Sequence, residues 1–246
     1  MSKMFGNLTT ENLENAEDRL GGGNEPIPSG VYDAVIKMAY AGQSQGGAHN
    51  VTLILDIGGR ELRETIYITN RNGENFYADK QDKSKKHPLP GFTLIDDICL
   101  FTTEEPISEQ DSAMKMVKIY DFEEKKEVPT EVPVLTGLLN KPITVAVLRE
   151  ITIKQKRGDD GVYRDTSETR TQNTIDKVFH PETKRTINEY RHEVSTPEFH
   201  DAWVAKNAGK DRDRTGGKTG AGASGTGRPG AAGGAAATPK KKLFGG

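Results

Sequence analysis

Cysteine is nearly absent from this 246-residue chain. Cys99 stands alone, which excludes an internal disulfide and any thiolate cluster drawn from one copy. Long apolar runs are missing too: none approaches the length that spans a bilayer, and no membrane partner is expected. Met1 to Leu20 lacks an apolar core flanked by basic residues, so no signal peptide is expected either. A cytoplasmic, reducing setting follows, and the sequons at Asn7 and Asn50 read as chance matches. Hydrophobic residues make up only 33% of the chain, so long polar loops are expected around a modest core.

Glycine is plentiful but unevenly placed, with 12 of 27 in residues 209–246. That segment holds too little apolar surface to offset the entropy of ordering and reads as a disordered tail. Its eight cations against two anions give it +6, and the chain total of −2 then leaves −8 on the body. A net acidic body argues against a general polycation, yet permits positive charge gathered in one groove, because binding follows local potential. The expected layout is a polar leader over residues 1–29, one folded domain over 30–208 and the basic tail over 209–246. Within the leader, Thr10 can cap a short helix that ends at Gly21-Gly22-Gly23.

The folded part reads as mainly β. Residues 30–40 alternate, with Tyr32, Ala34, Ile36, Met38 and Tyr40 on one side. Val51, Leu53, Leu55 and Ile57 alternate after a glycine-rich turn. Leu62, Ile66 and Ile68 follow beyond Gly58-Gly59. Period-2 patterning broken by glycines predicts an antiparallel meander. A helix is predicted near Phe92–Thr102, a strand at Met116–Tyr120 with a charged hairpin tip after it, a short helix at Val132–Leu139 and a strong strand from Pro142 to Gln155. Residues 156–172 read as a polar loop, and a strand pair is predicted at Asn173–Phe179 and Thr186–Tyr190. A closing helix over Pro197–Asn207 would bury Phe199, Trp203 and Val204. Three strands, a helix, then further strands is the order of an OB-fold-like five-stranded barrel, here with insertions between its third and fourth strands.

Catalytic chemistry finds no footing. The five histidines share no ligand spacing with each other or with Cys99. Asp96-Asp97 and Glu104-Glu105 are adjacent pairs that diverge by about 100° on a helix, and read as solvated surface. Two G-x-G-x-x-G strings, starting at Gly220 and Gly225, neither follow a strand nor open a helix. Gly217-Lys218-Thr219 imitates a P-loop end, but Arg212 stands where the first glycine belongs. No enzyme activity, metal or cofactor is expected.

What remains is a stretch of cations and rings. Arg63 and Tyr67 share the face of the third strand opposite Ile66 and Ile68. Arg71, Phe76, Tyr77, Lys80, Lys83, Lys85 and Lys86 follow. Cations tracking phosphates and rings stacking on unpaired bases are what single-strand binding requires. The competing reading makes Tyr67 barrel packing, Phe76 and Tyr77 loop anchors, and the lysines a solvated loop. A second basic group, Lys154, Lys156 and Arg157 with Arg149 nearby, lies where OB-folds grip nucleic acid between their last two strands. The tail tip, Leu243-Phe244 behind three lysines, suits a docking peptide, a DNA-contacting tether or an inert end.

Several strings resemble single-stranded-DNA-binding proteins of tailed bacteriophages: Met4-Phe5-Gly6-Asn7-Leu8, residues 16–23, Gly30-Val31-Tyr32, residues 64–71, Leu89-Pro90-Gly91-Phe92 and residues 175–179. The resemblance implies an OB-fold protein that coats and protects single-stranded DNA during phage replication, recombination and repair in the infected bacterium's cytoplasm. It further implies tail-borne contacts with a polymerase, helicase or primase. Such tails are acidic, however, and this one is basic around Phe244. A strand-annealing or recombination mediator, and a self-assembling virion or scaffold protein, are the alternatives.

Overall fold

The computed structural model describes residues 25–121, 124–158 and 163–216. The protein is mainly β, with antiparallel strands around one principal core. Strands β1 (Gly30–Gln43), β2 (His49–Ile57) and β3 (Arg60–Tyr67) form the expected meander. A small ribbon, β4 (Phe76–Ala78) and β5 (Lys86–Pro88), leads into α1 (Pro90–Thr103). Next come the hairpin β6 (Ser112–Asp121) and β7 (Lys126–Leu135), then the long hairpin β8 (Pro142–Arg157) and β9 (Tyr163–Phe179). Helices α2 (Ile187–Arg191) and α3 (Glu198–Asn207) and a two-residue strand β10 (Arg212–Asp213) complete the described chain. No described helix is long and apolar enough to cross a membrane.

The central sheet runs β9-β8-β1-β2-β3. It does not close, because β3 and β9 share no ladder. Side chains bridge the seam instead. Glu64 Oε2 accepts the Ile175 amide at 2.6 Å, and Asn173 both donates to and accepts from the backbone of Ile27 at 2.8 Å. Ile27 is thereby pinned into the core, so the end of the expected leader belongs to the folded body.

Several sequence expectations need correction. A bulge at Lys37 shifts the β1 register, so Ala34, Ile36 and then Ala39 face the core while Met38 and Tyr40 turn outward. Val132–Leu139 is the end of β7 plus one short 3-10 turn, not a helix. The polar stretch 156–172 is largely strand: a hairpin wet on both faces shows no alternation. Thr186–Tyr190 is helical because Thr186 and Glu189 form a reciprocal capping box. On α3, Trp203 is buried while Phe199 is 46% exposed. Residues 209–216, grouped with the tail by composition, pack against β8 through β10.

Helix α1 starts where Pro90 supplies a fixed φ at its first turn and buries Leu94, Ile95, Ile98, Cys99 and Phe101, as its spacing predicts. Its docking requires Gly91. A Cβ there would lie 2.1 Å from the Tyr67 carbonyl oxygen and 3.0 Å from Ile66 Cγ2. Gly91→Ala is therefore expected to cost about 2 kcal/mol in urea denaturation, the scale of overpacking. A loss below about 0.5 kcal/mol would show that α1 shifts freely on β3.

Candidate nucleic-acid interface

On β3 the residues alternate cleanly. Ile66 is buried in the core, and Arg63, Thr65 and Tyr67 point the other way, with Tyr67 40% exposed. Directly opposite residues on antiparallel strands share a face. Register therefore places Asn50 beside Tyr67, Thr52 beside Thr65 and Ile54 beside Arg63. Thr52 and Thr65 share a hydroxyl hydrogen bond of 2.9 Å. On β1 the bulge brings Tyr40 to the same face, opposite Thr52. Arg63 donates to the Tyr40 hydroxyl at 2.5 Å, which holds the guanidinium on this outer surface. Tyr40 in turn joins Val117 and Val134 in a small outer cluster that ties the β6–β7 hairpin to the meander. Tyr40, Asn50 and Thr52 were absent from the sequence-derived set. Only the register shift brings Tyr40 to this face.

Gly42 pairs with Asn50, and a Cβ at Gly42 would meet Asn50 Oδ1 at 2.9 Å. The surface next to Tyr67 is thus kept low. Arg71 lies just past the strand end, its side chain against the Gly46 turn. Arg63, Tyr67 and Arg71 therefore belong to one region.

The ribbon β4–β5 leaves this region after Tyr67 and returns to it at Gly91. Its alternation separates the two candidate rings. Phe76 lies on one side, with Lys86 Nζ 4.1 Å from its ring centre. Tyr77 lies on the other, its ring centre 5.3 Å from that of His87. Tyr77 and His87 border a groove of about 750 Å³ that also involves Leu94, Phe199 and Trp203, so Tyr77 does not share a surface with Phe76. The ribbon's tip is pinned by acids. Asp79 Oδ1 accepts the amides of Gln81 and Asp82 while its other oxygen meets His87 at 2.9 Å. The Asp82 and Gln81 amides, with His87 behind them, hold its carboxyl down at about 2. Asp82 caps Ser84 and pairs loosely with Lys85 at 3.8 Å. Lys80 and Lys83 project with no partner among the described residues. Four lysines against two aspartates leave residues 76–88 at +2.

The β8–β9 hairpin extends beyond the core as an arm. Lys154 pairs with Glu168 at 2.8 Å, a mutually exposed contact worth little. Lys156 lies directly opposite Arg164 near the tip, and Arg157 ends β8. Arg170, opposite Thr152, falls on the same side. Leu243 and Phe244 lie outside the described residues.

The chain matches no protein-family model and no curated protein. Function has to be argued from the geometry.

The acidic residues divide differently from expectation. Asp97 is buried, not solvated: its carboxylate meets Lys177 Nζ at 3.1 Å. Burial raises its pKa, against the pull of Lys177. Asp96 accepts the Ile107 amide at 2.9 Å. Both are structural contacts, and among the described residues no group of His, Cys, Asp or Glu could hold a metal ion. Cys99 is fully buried, which pushes its thiol up to about 12 and makes it inert.

Proposed function

We propose that this protein binds single-stranded DNA, with little regard for sequence, along the outer face of β3, and that it does so as an OB-like barrel. One observation carries the reading. The exposed Tyr67 ring shares the outer face of β3 with Arg63, at the margin of a face whose Tyr40, Asn50 and Thr52 are buried further in, and the lysine-bearing ribbon springs from the same strand end. A ring there can stack on an unpaired base while Arg63, Arg71 and the ribbon lysines follow the phosphates. The sheet order β9-β8-β1-β2-β3, with α1 between the third and fourth strands of that set, supports the OB-like reading. The cationic side of the β8–β9 arm offers a second set of phosphate contacts. The part in phage replication and recombination is what the sequence resemblance implies.

The test is anisotropy of labelled oligo-dT at two salt concentrations. Affinity is expected to fall steeply with salt, and Tyr67→Ala to weaken binding about tenfold, the loss of one stacked base. Its melting temperature should stay near that of the parent, since the ring is exposed. Replacing both Lys80 and Lys83 by Ala should flatten the salt slope while affecting all sequences alike. Salt-independent binding, or Tyr67→Ala with unchanged affinity, would overturn the assignment to this face.

A further inference from the structure

Strand β6 pairs along its whole length with β7 and, among the described residues, with nothing else. Its other edge is a row of amides and carbonyls without a ladder. Met114 is 57% exposed, Met116 63% and Tyr120 44%, three of the seven exposed large apolar side chains in the described protein. All three stand on one face of this strand, with Lys118 between the last two. Edges that must stay single are blunted by proline, a bulge or inward charge. β7 carries Pro129 and Pro133, whereas β6 has no proline and keeps regular register throughout. Of the features that blunt an edge, β6 carries only its two exposed lysines, Lys115 and Lys118.

We propose that β6 is the contact between two copies of this chain, paired antiparallel about a two-fold axis at Val117. Self-pairing closes the edge, because an antiparallel pair of identical strands uses the same surface twice and leaves none over. Charge selects the register. About Val117, Met116 faces the second copy's Lys118, Met114 faces its Tyr120, Lys115 faces its Ile119, and Ala113 its Asp121. In this register sulfur lies against a ring and lysine stems lie over apolar neighbours. Directly opposite residues share a face, so the axis must pass through a residue, and an axis at Lys118 sets that lysine against its own copy. One at Lys115 does the same for that residue. Both are disfavoured. The product is a continuous four-stranded sheet, β7-β6 joined to β6-β7 of the second copy. Ten residues of strand edge bury no more than the roughly 800 Å² per partner of a standard interface, so the dimer is reversible. This inference is independent of what the β3 face binds.

Sedimentation of the full chain, free of nucleic acid, is the test. The average mass should rise from 26.9 kDa toward double as concentration goes from about 1 to 100 μM. Met116→Lys, at an exposed site, sets lysine against lysine in both halves and should leave a monomer that melts normally. Adding Lys118→Glu to it sets Lys against Glu and should restore the dimer. A mixture of Met116→Cys and Lys118→Cys proteins should oxidise mainly to the mixed dimer, while Lys80→Cys mixed with either should not. A single-copy mass at 100 μM, a Met116→Lys dimer as strong as the parent's, or crosslinking without preference would each overturn the proposal.

Discussion

Ending the chain after Ala208 is expected to destabilise the fold by about 3 kcal/mol, although composition groups the missing part with a tail. The reason is Glu150, only 3% exposed on β8. Arg214 Nε lies 3.1 Å and Arg212 Nη1 3.7 Å from its Oε1, as ion pairs without the alignment of a hydrogen bond. Its Oε2 has only the Thr174 hydroxyl at 3.4 Å. Without Arg212 and Arg214 a carboxylate stays buried with no cation, and removing one side of such a pair costs roughly 3–5 kcal/mol. The Arg149–Asp211 contact is also lost, but both of its side chains are about one-third exposed and it contributes little. Urea denaturation of residues 1–208 against the full chain measures the loss. Glu150→Gln in the shortened chain should recover most of it. A shortened chain as stable as the parent would mean that Glu150 reaches water on its own.

The second large effect is on pH. Glu64 sits at the unpaired seam, and its acid is raised from the ordinary 4.5 to about 8. Burial is the first cause. The Ile175 amide works against it, while Glu150 and Asp176 add to it. The residue as a whole is only half-buried, and the shift follows the carboxyl group, which is packed against Ile175. The folded protein therefore holds a proton that the unfolded chain releases. Its contribution is complete below about pH 4.5 and is lost as pH rises through 8. Stability should fall across that window by a few kcal/mol, at about 1.4 kcal/mol per pH unit where the slope is full. Glu64→Gln keeps an oxygen for the Ile175 amide and cannot ionise. It should raise the melting temperature at pH 8.5, change it little at pH 5 and flatten the profile between. His180, whose pKa burial lowers, gives the opposite slope below about 6.5, and buried Cys99 adds a slope of the same sign as pH nears 9, so the range from pH 6.5 to about 8 isolates Glu64. A parent profile flat over that range would rule out the protonated seam.

These two groups show where sequence reading stops. Val51, Leu53, Leu55 and Ile57 announce β2 because one face is wholly apolar, and all four are buried. The Arg63–Tyr67 face was legible for the same reason, since Ile66 and Ile68 fix the parity of β3. The bulge at Lys37 was not, because Met38 and Tyr40 are as apolar as the inward residues they seem to continue. The β8–β9 arm was hidden by water on both faces. Helix α2 carried a readable sign, Thr186 three residues before Glu189, which the β-like run Thr186–Tyr190 obscured. Phe76 and Tyr77 look like one aromatic pair until a two-strand ribbon sends them to opposite sides. The burial of Asp97 and Glu64 depended on Lys177 and Ile175, far along the chain, and no local pattern announces either contact.

The extra residue at Lys37 makes one strand answer to two environments. Ile36 and Ala39 fill the interior while Tyr40, one position on, carries the outer surface. Pairing the same residues one for one, without the bulge, would turn Tyr40 inward and Ala39 outward together. Along β1, then, surface and interior are not separate targets for evolutionary change: drift that alters one side is judged by the other.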